Sequence, residues 1–322
     1  MIVAVTRRLP SVAAEILTNA GLDIRQHPND DPPTRQELLE LVAGVDAVVC
    51  LLSDRIDSEI LDAAGPQLRI VANYAVGLDN VDLDACKVRG IAVAHTPGVL
   101  TDATADMAWA LLLAVSRRVV EGDALVRSGK WTGWSPLQLL GASFSGRTFG
   151  VVGLGRIGAA TARRARGFGM RIVYSGRSRR EEAARELDAT YVPLDTLLQE
   201  SDVVSLHCPS TPDTRHLIDA PALRRMKPTA YLVNTARGDV VDEQALVEAL
   251  ESGVIAGAGL DVFEREPALT PGLTDLPNVV LAPHLGSATT STRQEMARMV
   301  AESVVAVLQD QPANHLAVQP GS

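Results

Sequence analysis

Short apolar runs alternate with stretches of helical periodicity along the first hundred residues. Ile2 to Val5 is a first run, and Ala47 to Leu52, Arg69 to Ala72 and Ile91 to Ala94 are three more. Between the first two, Val12 to Ala20 carries apolar residues at helical spacing and stops at Gly21. Largely apolar runs separated by helices predict βα units around a parallel sheet, because a strand covered on both faces has no polar side to show. Thr101 to Val119 then predicts a long buried helix, with Thr101 as its N-cap. The following Ser128-Gly-Lys-Trp-Thr-Gly-Trp-Ser-Pro136 fits neither period and reads as an irregular excursion.

The βα rhythm restarts at Thr148 to Val152. Arg171 to Tyr174, Val203 to Leu206, Ala230 to Asn234, Ala256 to Leu260 and Val279 to Leu281 predict five further strands. Six strands with intervening helices suit a dinucleotide-binding domain. A last helix, Thr289 to Leu308, is expected to return to the first domain. The fold class expected is therefore α/β, with two Rossmann-like, doubly wound parallel-sheet domains. The substrate domain, flavodoxin-like, comprises 1–99 and 288–322, and the dinucleotide domain 100–287.

Composition narrows the class. A chain of 322 residues exceeds what one core usually holds, so two domains are the default. Hydrophobic residues at 46% and charged residues at 21% describe a water-soluble globular protein. A net charge of -9 disfavours nucleic acid as a partner. No apolar run has the length of a membrane span, and the opening Met1-Ile-Val-Ala-Val is expected to be a first strand rather than a charged-then-apolar leader. Cys50, Cys86 and Cys208 are widely spaced without metal-binding pattern, which predicts reduced thiols, no metal and a cytoplasmic setting.

Gly153-Leu-Gly155-Arg-Ile-Gly158 fits GxGxxG between a predicted strand and a helix over Ala159 to Phe168. The three glycines permit a tight turn, close approach of a pyrophosphate, and close helix–strand packing. The helix N-terminus adds free N–H groups and partial positive charge. A turn that only joins strand to helix has the same letters, and the strand–turn–helix context favours a dinucleotide.

Three polar groups follow three successive predicted strands: Arg237 in Asn234-Thr-Ala-Arg-Gly-Asp, Glu266 in Asp261-Val-Phe-Glu-Arg-Glu-Pro, and His284 in Leu281-Ala-Pro-His-Leu-Gly-Ser. The C-terminal ends of parallel strands are where such sheets bind ligands. Arg can hold a carboxylate with two parallel hydrogen bonds. A carboxylate beside His favours the imidazolium, an acid suited to protonating a carbonyl oxygen. Singly, each is an ordinary ion-pair, loop or hydrogen-bonding residue. Behind a dinucleotide turn, together they describe hydride transfer.

These strings, with Asn73-Tyr-Ala-Val-Gly77-Leu-Asp-Asn-Val and Gly259-Leu-Asp261-Val-Phe, run over nearly the whole chain. In that order the chain resembles the D-isomer-specific 2-hydroxyacid dehydrogenase family, and within it the glyoxylate/hydroxypyruvate reductases. The resemblance implies reduction of small 2-keto acids, with Arg237 on the substrate carboxylate and keto oxygen, His284 as acid/base and Glu266 as its partner. It implies substrate contacts from Val76, Gly77, Leu52 and Ser53 in the first domain. It places the cofactor against Thr104, Arg156, Ile157, Cys208, Pro209, Thr214, Thr235, Ala236 and Gly286, with Asp261 at the nicotinamide end. Asp106 stands where the family often has Glu. No added C-terminal regulatory domain is expected, unlike the longer phosphoglycerate dehydrogenases. The corepressors that resemble this family use dinucleotide binding to control assembly, so an interaction protein is the alternative class. Formate dehydrogenases carry Gln where Glu266 stands, whereas phosphite dehydrogenase shares the Arg, Glu and His.

Two local features refine the expectation. Trp131 and Trp134 lie in the irregular excursion of a chain with only 3% aromatics, which points to an interface. The resemblance puts them in a dimerisation arm, about 120–147, and sends Trp134 toward the partner's active site. A homodimer is therefore expected. After the strand ending at Tyr174 comes Ser175-Gly176-Arg177-Ser178-Arg179-Arg180, with no carboxylate before Glu181. NAD-specific domains usually place an acid there for the ribose hydroxyls. Arg177, Ser178 and Arg179 instead suit a 2′-phosphate, so NADP(H) is expected ahead of NAD(H).

Overall fold

The computed structural model describes residues 1–319. The chain divides into two compact units, one formed by Met1–Leu100 with Ala288–Ser322, the other by Thr101–Ser287.

The first unit runs β1 (Ile2–Val5), α1 (Ser11–Asn19), β2 (Asp23–Gln26), α2 (Arg35–Val42), β3 (Ala47–Cys50), α3 (Ser58–Ala64), β4 (Ile70–Asn73), α4 (Leu83–Val88) and β5 (Ala92–Ala94). The second contains α5 (Thr101–Ser116), α6 (Val119–Arg127), β6 (Thr148–Val152), α7 (Arg156–Gly167), β7 (Arg171–Ser175), α8 (Glu181–Leu187), β8 (Ala189–Tyr191), α9 (Leu194–Glu200), β9 (Val203–Leu206), α10 (Ala220–Arg225), β10 (Tyr231–Asn234), α11 (Glu243–Glu251), β11 (Gly257–Leu260) and β12 (Val279–Leu281). The chain then returns to the first unit as α12 (Thr290–Leu308) and β13 (Leu316–Val318).

Each unit is a sheet covered on both faces. The first sheet has the order β13-β5-β4-β3-β1-β2 and the second β12-β11-β10-β9-β6-β7-β8. Side chains alternate across a strand. In the first unit, Val3, Val5, Ala47, Val49, Ile70 and Ala72 meet α1 and α12 through Leu17, Val300 and Val304. The intervening Ala4, Val48, Cys50 and Val71 meet Leu38, Leu41, Ile60 and Leu61 of α2 and α3. In the second unit, Val151, Ile172, Tyr174 and Val233 share a core with Ala108, Trp109 and Leu112 of α5 and Ala162 of α7. Trp109, the third tryptophan, is buried, stacks on Phe149 and Phe168, and donates its indole N–H to the Thr161 carbonyl at 2.9 Å. The opposite face packs Val152, Leu206, Leu232 and Leu260 against α9, α10 and α11.

Several expectations need correction. The second sheet has seven strands, not six, because β8 adds an edge. The first is not wholly parallel, since β13 pairs antiparallel to β5. β2, β8 and β13 all escape the apolar pattern, and all three are edge strands. β2, with sequence Asp-Ile-Arg-Gln, has no buried residue. An edge strand needs only one hydrogen-bonded neighbour and less apolar cover. The long helix ends at Ser116, and Arg118, at φ 53°, turns the chain into α6. Thr101 is the first helical residue rather than a cap outside the helix. The three cysteines are free, as expected.

Candidate active site

The second sheet brings the ends of β10, β11 and β12 side by side in parallel register. Arg237, Glu266 and His284 all leave from that edge. His284 Nδ1 lies 2.9 Å from Glu266 Oε2, while Glu266 Oε1 accepts the Phe263 N–H at 2.9 Å. Both side chains are about one-third exposed, at 29% and 30%. Burial raises the Glu266 pKa, but the His284 hydrogen bond and charge, the Phe263 N–H and the charge of Arg237 outweigh it. Its carboxyl therefore stays below the usual range.

Each group is held by its neighbours. Asn234 builds the Arg237 turn: its side-chain N–H donates to the Arg237 carbonyl at 2.8 Å, and its oxygen accepts the Ala236 N–H at 3.0 Å. Arg237 Nη1 donates to the Ala236 carbonyl at 2.8 Å. His284 sits at φ 56°, in the left-handed region that non-glycine residues rarely occupy. The turn is pinned by the buried Asp261, whose two carboxyl oxygens accept the Leu285 and Gly286 N–H groups at 2.6 and 2.7 Å. Burial pushes the Asp261 pKa up, against the lowering by those two N–H donors and by His284. Asp261 was expected to meet the nicotinamide end, and its hold on the turn was not legible in the sequence. Each oxygen still has a second lone pair. Thr104 on α5 donates its hydroxyl to the Gly286 carbonyl at 3.1 Å, which ties a cofactor candidate to the His284 turn.

The glycine turn fits a dinucleotide. Gly153 has φ 96°, and a Cβ there would meet the backbone of His207 and Cys208 at 2.8 Å. A Cβ on Gly158 would lie 2.2 Å from the Gly153 carbonyl oxygen, so helix and turn touch through glycine alone. A Cβ on Gly155 would meet nothing within 4 Å. That side is open, and Gly155 caps α7 without a side-chain hydrogen bond, leaving Arg156 and Ile157 at a bare helix N-terminus. The buried Thr235 hydroxyl has no partner among the described residues. Cys208 borders the turn, with Pro209 next in the chain, and burial raises the Cys208 thiol to about 11. The Thr214 hydroxyl already braces its loop, donating to the Pro209 carbonyl at 2.6 Å and accepting the Thr211 N–H at 2.8 Å.

At the end of β7, Gly153 N–H donates to the Ser175 carbonyl at 2.8 Å, so the basic segment starts beside the glycine turn. Arg177 and Ser178 are exposed, and no carboxylate pairs with Arg177 among the described residues. Arg179 is placed differently, over the Tyr191 ring at 4.9 Å. Asp106 forms an ion pair with Arg164 at 2.6 Å on the helix surface.

In the first unit, Leu52 and Ser53 follow β3, and Val76 and Gly77 follow β4. Asn80 braces both loops, donating to the Leu51 and Asp54 carbonyls at 2.9 and 3.0 Å and pairing with Asn73, which donates to the Gly77 carbonyl at 2.8 Å. Buried Asp54 accepts the Leu51 N–H at 2.7 Å and the Thr6 hydroxyl. In the arm, α6 has no buried residue, and Trp134, Leu137 and Leu140 are 83%, 78% and 63% exposed.

A parallel sheet with a glycine turn and a carboxylate-backed histidine near an arginine suits hydride transfer. Residues 109–286 match the model of the D-isomer specific 2-hydroxyacid dehydrogenase NAD binding domain. The glyoxylate reductase of Thermococcus litoralis is 52% identical over 308 residues, covering 94% of this chain and 92% of that one. A crystal structure of a Thermus thermophilus protein superposes with a TM-score of 0.93 at 49% identity, covering 99% and 100% of the two chains. An NADPH-dependent glyoxylate/hydroxypyruvate reductase from Sinorhizobium meliloti, solved with NADP and malonate, has a TM-score of 0.84 at 36% identity, with 99% and 97% covered. This chain belongs to the D-isomer specific 2-hydroxyacid dehydrogenase family. No helix of the described residues is long and apolar enough to cross a membrane.

Proposed function

We propose that the protein reduces glyoxylate, and hydroxypyruvate with it, to glycolate and D-glycerate, using NADPH ahead of NADH. The carrying observation is the His284–Glu266 pair beside Arg237 at the strand ends, in a chain half identical to glyoxylate reductases. A dinucleotide held by its pyrophosphate at the glycine turn would supply, from its nicotinamide end, the hydride for the keto carbon. Arg237 holds the substrate carboxylate through its forked N–H groups and polarises the keto oxygen. Glu266 accepts a hydrogen bond from His284 Nδ1–H, which fixes the ring and leaves Nε2 as the proton donor to that oxygen. Carbonyl, hydride and proton together balance as one hydroxyl-bearing carbon. Asp261 and Thr104 hold the turn that carries the ring. The Val76 and Gly77 N–H groups are the proposed first-unit donors to the carboxylate, with Leu52 and Ser53 lining the substrate.

The preference for NADPH rests on Arg177 and Ser178, exposed beside the glycine turn without an acid between them and the end of β7. A homodimer is supported by the exposed Trp134, Leu137 and Leu140 of the arm, a patch that isolated chains rarely leave in water. Wild-type turnover measured with a panel of small 2-keto acids tests the substrate class. The absence of turnover with every member would favour a dinucleotide-sensing interaction protein. His284→Ala is expected to lose about 100-fold to 10,000-fold in kcat, the usual worth of a positioned acid, with NADPH binding intact. Wild-type turnover in that variant would remove His284 from the chemistry.

A further inference from the structure

We propose that Glu243 is a positioning residue for Glu266, an inference that rests on reading Glu266 and His284 as the proton-transfer pair. Glu243 opens α11 and is only 1% exposed. A buried carboxyl group is costly unless its oxygens are satisfied. Its Oε1 accepts the Glu264 N–H at 2.7 Å, and its Oε2 accepts the Thr270 hydroxyl at 2.6 Å. Glu264 and Thr270 bracket Glu266, so one side chain ties down both flanks of the loop that presents the carboxylate to His284.

Two further contacts brace the same loop. Glu264 Oε1 lies 3.0 Å from His216 Nε2. Gly238, next to Arg237, touches the loop backbone so closely that a Cβ there would be 1.9 Å from the Phe263 carbonyl carbon. The stretch from Arg237 to Glu243 thus carries both the substrate-binding arginine and the clamp that sets the partner of His284. A carboxylate must be held within a fraction of an ångström to keep an imidazole aligned, and slack there reaches the rate rather than the binding of either ligand.

The test compares Glu243→Ala and Glu243→Gln with Thr270→Val and Thr270→Ser, reading kcat and KM for glyoxylate and NADPH binding in each. Gln keeps a carbonyl oxygen for the Glu264 N–H, and Ser keeps the hydroxyl. Glu243→Ala is expected to lower kcat about tenfold to 100-fold, with NADPH affinity and the glyoxylate KM within about threefold of wild type. Gln is expected to restore most of that loss. Thr270→Val is expected to lose about threefold to tenfold, with Ser near wild type, and this pair carries the test if Glu243→Ala does not fold. Wild-type kcat in folded Glu243→Ala and Thr270→Val would overturn the inference. So would a loss in which NADPH affinity falls in step with kcat, or one that Gln and Ser do not relieve. His284→Ala in the same series separates the failures. If it retains turnover, the reading of the site fails. If it is inactive while Glu243→Ala and Thr270→Val keep wild-type kcat, only the positioning role fails.

Discussion

The two ends of the second sheet treat their polar side chains in opposite ways. After β10, β11 and β12, every candidate group is held by another. Asn234 shapes the Arg237 turn, Asp261 pins the His284 turn, and Phe263 and His284 satisfy both oxygens of Glu266. After β7, Arg177 and Ser178 stand in solvent, with no acidic partner among the described residues. Proton transfer needs a fixed distance, which packing and crossed hydrogen bonds supply. Telling one nucleotide from another needs only charge of the right sign within reach, which an exposed loop supplies at little structural cost. Substitutions at the braced end should therefore damage rate steeply, and those at the open end should shift preference.

The contrast is sharpest at Arg237. Arg237→Lys keeps the charge but loses the fork, and kcat/KM for glyoxylate should fall about 100-fold, the worth of one well-placed donor. Steady-state kinetics with both cofactors should show the same loss for each. A loss of less than about threefold would mean that a point charge suffices, and the braced geometry would not matter. At the open end, Arg177→Ala should lower kcat/KM for NADPH roughly tenfold, the value of one charge-assisted hydrogen bond, and leave NADH within about twofold. Equal weakening of both cofactors, or a wild type that already favours NADH, would contradict the preference.

A smaller effect concerns stability at the border of the two ends. His207 follows β9 behind the glycine turn, and desolvation of its half-buried ring depresses its pKa to about 3 from 6.5. Ser205 meets Nε2 at 2.8 Å, while Nδ1 is buried without a partner among the described residues. Between those two values the unfolded chain binds the proton and the folded chain does not. Stability is therefore unaffected by His207 above about 6.5 and declines as the pH falls from there toward 3. Urea midpoints at about pH 7 and about pH 5 should drop further for wild type than for His207→Gln. Parallel drops in the two proteins would rule out His207 as the source. Smallest of all, Trp134→Ala should change the KM for glyoxylate or hydroxypyruvate by a few-fold, and wild type should sediment as a dimer at micromolar concentration. A monomer there would remove the support for a partner's Trp134 near the substrate.

Much of this arrangement was legible in the chain itself. Strands covered on both faces announced themselves as unbroken apolar runs: β3 is Ala-Val-Val-Cys, every residue buried. Glycines at 153, 155 and 158 stood out by their spacing, and at 153 and 158 no other residue fits where backbone meets backbone. Arg237, Glu266 and His284 were legible because each follows a strand by a few residues. Where the pattern failed, burial was partial. β2 and β8 are edge strands with no buried residue, so their alternation carries no apolar signal. The division of the long apolar helix at Arg118 was invisible because the apolar content of α5 runs on into Val119 and Val120.

Local order along the chain determined the α/β class, the glycine turn and the identity of the three polar groups, since each depends on neighbours within one βα unit. Tertiary structure alone decided what holds them. Asp261 meets Leu285 and Gly286 across 24 and 25 residues, and Glu243 meets Glu264 and Thr270 across 21 and 27. Buried carboxyl groups are rare in a sequence pattern and look like any other acid. Their partners are chosen by which strand ends the sheet places next to each other, and that follows from strand order rather than from position in the chain.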